Sequence, residues 1–158
     1  GLLENRARLL LEIVKAIRAE VGEALPIFIR FSATDYREDG WTVEETAKVA
    51  NWCAEVGADM FDISSGGLIT GVKIPSGPGY QVPLAEHVAG EVNQPVGTVG
   101  QITTGTQAEE ILKQGKVDVI LIARASLRDA SWPLRAAHEL GVEVDYWPNQ
   151  YARGKFPN

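Results

Sequence analysis

Val96-Gly-Thr-Val-Gly100, a helix pattern over Thr106–Gln114, the apolar run Val117–Ala123 and then Arg124 decide the fold. Two short apolar runs on either side of a helix read as neighbouring parallel strands joined by a helical crossover. Gly100 ends the first strand and Arg124 ends the second. A glycine turn lets backbone N–H groups approach an anion where no Cβ intrudes, and a guanidinium at the next strand end clamps a phosphate bidentately. The pair therefore predicts a phosphate pocket. Taken alone, Gly100 also reads as a plain strand-end turn, an alternative that weakens once it is paired with Arg124.

Upstream, Leu3, Ala7, Leu10, Val14, Ile17 and Val21 recur at alternating four and three residues, which predicts a helix over residues 3–21 ending at Gly22. Ile27–Phe31 reads as a buried strand that carries Arg30, a charge that demands a partner. Thr42 and Glu45 form a capping box for a helix reaching Val56, with Gly57 as its stop. Asp59–Ser64 reads as the second strand, and a Gly/Pro-rich loop runs from it to Val82. Pro83 suits the first turn of a helix reaching about Val92. Pro95–Gly100 is the third strand; Thr106 and Glu109 read as the box that caps the next helix. After Arg124 come a short turn over Ala125–Asp129 and a helix from the cap Ser131 to Leu140.

The order is α(βα)4, so a parallel sheet is expected with either an open doubly wound or a barrel architecture. Ser32-Ala33-Thr34-Asp35 follows the first strand where a dinucleotide fold would need its glycine fingerprint. A barrel instead carries its phosphate site at strands seven and eight with a short extra helix, as strands three and four do here. The expectation is α/β: the C-terminal half, strands 5–8, of a TIM-type (β/α)8 barrel. Residues 1–141 would form the half barrel and 142–158 an aromatic arm docking on a neighbouring subunit. Four strands leave two open edges and a bare inner face, so a second chain should complete them.

The 158 residues suffice for one core, and a net charge of −6 argues against nucleic acid or anionic membrane as the main partner. Apolar runs are too short to span a bilayer, and one cysteine, Cys53, fits a reducing cytoplasm and a buried structural thiol. His87 and His138 lack partners at metal spacing, so no metal site is expected.

Leu3-Glu-Asn-Arg6, Ile29-Arg30-Phe-Ser-Ala33, Asp62-Ile-Ser-Ser-Gly-Gly67, Gly77-Pro-Gly-Tyr-Gln81, Val99-Gly100-Gln-Ile-Thr103, Ile122-Ala-Arg124 with Leu127-Arg-Asp129, and Gln150-Tyr-Ala-Arg153-Gly154 resemble, in order, the old yellow enzyme family of FMN-dependent ene-reductases, in its thermophilic-type bacterial subclass. The resemblance implies FMN as cofactor, NADPH or NADH as hydride donor, and small α,β-unsaturated substrates. It implies that Arg30 faces flavin N1, where a fixed cation raises electron affinity, with an ion pair to Asp62 as the plainer alternative. It places Gly100, Gln101, Ala123 and Arg124 on the ribityl phosphate and Ser64 on the cofactor side, where capping of the following loop is the competing role. Arg153 resembles an arginine lent to a neighbouring subunit's substrate site, which implies a homo-oligomer. Ala123 stands where the family often has Gly, and Gly1-Leu2-Leu3-Glu4 departs from its usual Gly-Gly-Ser-Leu-Glu. The residues that anchor substrate, donate the proton and tune the flavin belong to strands one to four, so an N-terminal half barrel is the implied partner. A non-catalytic, self-pairing half barrel or phosphate-binding module stays open beside this reading. An aldolase-type barrel ranks last, because no lysine falls at a strand end for a Schiff base.

Overall fold

The computed structural model describes residues 1–156. Helix α1 (Leu3–Val21) leads into β1 (Phe28–Ser32), α2 (Val43–Glu55), β2 (Met60–Ser64), α3 (Val82–Ala89), β3 (Val96–Thr98), α4 (Gly105–Lys113) and β4 (Val119–Ile120). Helices α5 (Arg124–Arg128) and α6 (Trp132–Glu139) follow, then a 3-10 turn over Asn149–Gly154. All strand pairs are parallel, in the order β1-β2-β3-β4. Sequential order settles the architecture. A doubly wound sheet reverses its strand order at a switch point, whereas a barrel winds one way and keeps its helices on one face.

The two faces of the sheet differ accordingly. Ile29, Phe31, Phe61, Ile63 and Val96 point to the helix side and pack with Val14, Val49, Cys53, Val88 and Ile111. Phe61, Ile63 and Val96 are fully buried, each worth about 1.5–3 kcal/mol of transfer free energy. On the other face β1 turns outward: Phe28 is 64% exposed and the Arg30 side chain 56%. Arg30 therefore sits on an open inner face rather than inside a core, which corrects the buried reading of its strand. Leu9, Ile13 and Ile17 leave an apolar stripe of α1 exposed as well.

Local chemistry explains most boundaries. The Thr42–Glu45 box forms as read, and Glu45 also accepts from Arg6, whose guanidinium lies 5.1 Å from the Trp41 ring. Helix α1 stops at Gly22, where φ is +66°. At the N-terminal end of the sheet, Arg18 donates to the carbonyls of Gly57, Gly22 and Leu25 and to Asp59. Asp59 in turn accepts from the Ile27 amide, and Asp118 does the same for Val96.

Several boundaries differ from expectation, among them β3, which runs over Val96–Thr98 instead of Pro95–Gly100. Helix α4 is capped by Thr104, whose hydroxyl accepts from the Gln107 amide, not by Thr106 with Glu109. A Cβ at Gly105 would stand 2.9 Å from Ala136, so close packing against α6 draws Gly105 into the first turn. The fourth strand shrinks from Val117–Ala123 to Val119–Ile120, because it lies at the sheet edge and its neighbour β3 offers only three residues. Helix α3 ends at Ala89 instead of Val92. Cys53 is buried as expected, and burial pushes its thiol up to about 11.

Candidate functional site

At the C-terminal strand ends the chain encloses a cavity of about 470 Å3. Arg30, Ser64, Gly100, Gln101, Ala123 and Arg124 all line it, so residues up to 94 positions apart in the chain meet in one place. Arg153 does not; it lies exposed on the 3-10 turn of the tail. That tail packs on its own chain, with Phe156 stacked on His138 at 4.7 Å and edge-on to Trp147 at 6.2 Å.

One wall is the turn after β3. Gly100 has φ +122° and Gln101 φ +51°, two consecutive left-handed residues that turn the chain back over the cavity. A Cβ at Gly100 would stand 3.0 Å from Gln81 Nε2 and 3.1 Å from Tyr80 Cε1. The turn is held by Gly79 N–H donating to Gly100 O (2.8 Å), Gln107 Nε2 to Gln101 O (3.3 Å) and Gln101 Nε2 to Ser76 Oγ (2.8 Å). The opposite wall is the start of α5, with Ala123, Arg124 and Arg128. Among the described residues, the main-chain N–H groups of Gly100, Gln101, Ala123 and Arg124 find no internal acceptor. These donors and two guanidiniums suit an anion.

The inner face supplies the floor. Arg30 and Asp62 are register partners on β1 and β2, and Arg30 Nη1 donates to Asp62 Oδ2 at 2.7 Å. The plainer alternative for Arg30 is thus present, and it coexists with a cavity-lining position. Asp62 is 7% exposed, and its Oδ1 has no partner among the described residues. Burial raises the Asp62 carboxyl above its ordinary value, and the Arg30 charge offsets this only in part.

Ser64 plays a role the sequence did not suggest. Its hydroxyl donates to Gln81 Oε1 at 3.2 Å, alongside Ser65 at 2.7 Å. Gln81 is 2% exposed and lines the cavity. Sequence reasoning missed it as a site residue, as it missed Tyr80 and Arg128, whereas it offered Asp62 as a partner for Arg30. Gln81 stood only within the quoted Gly77–Gln81 segment, and the contacts that give it meaning span 16 and 17 residues. Among the described residues no group of three or more His, Cys, Asp or Glu is placed to hold a metal ion.

A one-way parallel sheet with a glycine turn, an arginine and a short extra helix at its last two strand ends is the architecture of β/α barrels at their phosphate-binding end. The chain belongs to the NADH:flavin oxidoreductase / NADH oxidase family, whose model matches residues 1–143. The NADPH dehydrogenase of Geobacillus thermodenitrificans is 44% identical over 98% of this chain and 44% of its own length. That of Halalkalibacterium halodurans is 46% identical over 97% of this chain and again 44% of its own. The chain thus spans less than half the length of the curated relatives it matches. Among solved structures, a 2-naphthoyl-CoA reductase complexed with 2-naphthoyl-CoA superposes on 90% of the chain with TM-score 0.79 and 30% identity, using 22% of its own residues. A 6-hydroxypseudooxynicotine amine oxidase from Pseudomonas geniculata covers 89% with TM-score 0.70 and 25% identity. The fold is that of a partial β/α barrel. No helix among the described residues is long and apolar enough to cross a membrane.

Proposed function

We propose that this chain is the cofactor-phosphate half of an FMN-dependent NAD(P)H oxidoreductase that reduces activated C=C bonds. The observation that carries the reading is the joint lining of one cavity by Arg30, Ser64, Gly100, Gln101, Ala123 and Arg124. The residues fit FMN. Gly100 leaves a cradle that a Cβ would fill, free N–H groups surround it, and Arg124 adds a fixed charge for a phosphomonoester. When bound, the flavin would supply hydride acceptance from a nicotinamide and hydride delivery to an alkene β-carbon. Arg30, held by Asp62, would keep a positive charge beside the isoalloxazine and favour its electron-rich state. Arg124 and the Gly100–Gln101 turn would bind and orient the ribityl phosphate. Arg153 would reach a neighbouring subunit's substrate site from the exposed tail.

An N-terminal half barrel would cover the open inner face and the edge marked by Phe28, as well as the α1 stripe of Leu9, Ile13 and Ile17. Each of these apolar side chains, once covered, adds to the association. The same exposed edge supports a second reading, a self-paired half barrel without catalysis. Mixing the chain with the N-terminal half of the Geobacillus relative separates the two. The first reading expects a 1:1 complex with a bound-flavin spectrum and NADPH oxidation dependent on 2-cyclohexen-1-one. A stable homo-oligomer by native mass spectrometry, with no flavin uptake in the mixture, would sink it.

A further inference from the structure

A buried amide with one end tied and the other free faces the same cavity. Gln81 caps the start of α3 and is 2% exposed. Its Oε1 accepts from two hydroxyls, Ser65 Oγ at 2.7 Å and Ser64 Oγ at 3.2 Å. Ser65 spends its only proton there, so Tyr36 Oη, 2.7 Å from Ser65 Oγ, is the donor in that contact. The chain of donors runs Tyr36 to Ser65 to Gln81, and successive hydrogen bonds polarise one another in a low-dielectric setting. Tyr36 holds φ +55°, a conformation few non-glycine residues adopt, and backbone strain of this kind collects where a side chain must be aimed. The consequence falls on Nε2. With the carbonyl end claimed, the NH2 group points toward the Gly100 turn, 3.0 Å from where a Cβ would stand, and it has no acceptor among the described residues.

We infer that Gln81 is an anion-binding residue of this site, an oriented neutral donor to the cofactor phosphate, and that Ser65 and Tyr36 are positioning residues that fix which end of the amide faces it. The inference rests on the flavin reading above and deepens it. A phosphomonoester near pH 7 carries between one and two negative charges and many acceptor positions. Arg124 and Arg128 supply the charge and the turn's free N–H groups some of the donors. A locked amide adds a donor without the desolvation cost of another buried cation. Ser64 and Ser65 then act through Gln81.

The test compares three probes on the assembled protein: FMN, riboflavin, which lacks the phosphate, and inorganic phosphate. Wild type should bind FMN more tightly than riboflavin. Gln81→Glu keeps the shape and both serine contacts but replaces the donor with a carboxylate. It should weaken FMN by about thirty-fold or more and leave riboflavin within about two-fold. Ser65→Ala, which removes the shorter of the two contacts holding Oε1 and loosens the amide, should lower the FMN-to-riboflavin affinity ratio by about three-fold. Riboflavin binding doubles as the folding control, since a merely structural role would move both flavins together. If Gln81→Glu binds neither flavin, Ser65→Ala decides: a lowered ratio supports the inference and an unchanged one overturns it. A Gln81→Glu protein with the wild-type ratio also overturns it. A wild type that takes up inorganic phosphate but no flavin, and loses it in Gln81→Glu, defeats the flavin reading while leaving Gln81 as the anion donor.

Discussion

Replacing Gly100 with alanine perturbs the cavity wall through two separable physical effects. At φ +122° an L-residue is strained, at a cost of about 1–3 kcal/mol. The new methyl would also stand 3.0 Å from Gln81 Nε2 and 3.1 Å from Tyr80 Cε1, so both must give by a few tenths of an ångström. Gly115 provides the control. It has φ +67° with nothing within 4 Å of a Cβ, so Gly115→Ala carries the left-handed penalty alone, about 1–2 kcal/mol. For a domain of this size 1 kcal/mol moves Tm by about 2–4 °C. Gly100→Ala should therefore lower Tm, followed by circular dichroism, by about 4–8 °C, and Gly115→Ala by less. FMN affinity of the assembled protein, from fluorescence quenching, should fall about ten-fold or more in Gly100→Ala and stay unchanged in Gly115→Ala. Equal melting temperatures for the two variants, with equal FMN affinity, would refute the cradle argument.

Three further outcomes follow from the same geometry. Arg18→Ala strips donors from three carbonyls and Asp59 at the N-terminal face, and should cost about 3 kcal/mol, read as a lower urea midpoint, without changing flavin affinity. Asp62 ionises at higher pH in the folded chain than in the unfolded one, where its value is near 4. The unfolded state thus loses that proton first, and stability drops as pH rises from about 4 through the raised value, then levels. Asp62→Asn abolishes this drop, so urea midpoints from pH 3 to 8 should favour the variant increasingly as pH rises. Cys53, with its thiol pushed up to about 11, should resist a disulfide-exchange reagent at pH 8 until the chain is denatured.

The parts of the fold legible in the sequence are those that local chemistry decides. The Thr42–Glu45 box, the Gly22 stop and the α1 periodicity involve partners a few residues apart, and each is present. Elsewhere distant packing chose between equivalent local options. Thr104-Gly-Thr106 offers two caps, and contact of Gly105 with Ala136 selects the first. The apolar run Val117–Ala123 looks like a long strand, yet pairing depends on how much backbone the neighbour presents, and β3 presents three residues. For the site, a strand-end glycine and arginine stand out because their chemistry is unusual there, and both line one cavity. Gln81 carries no charge and no periodicity. Its meaning arises only when Ser64, Ser65 and Tyr36 surround it.

The claim that matters most is where the phosphate sits. A crystal structure of the assembled protein with FMN measures that directly. The account predicts phosphate oxygens within hydrogen-bond distance of the Arg124 guanidinium and of the Gly100 and Gln101 N–H groups, with the Arg30 guanidinium at the isoalloxazine. FMN bound with its phosphate outside the Gly100–Arg124 cavity, or Arg30 turned away from the flavin, would contradict it.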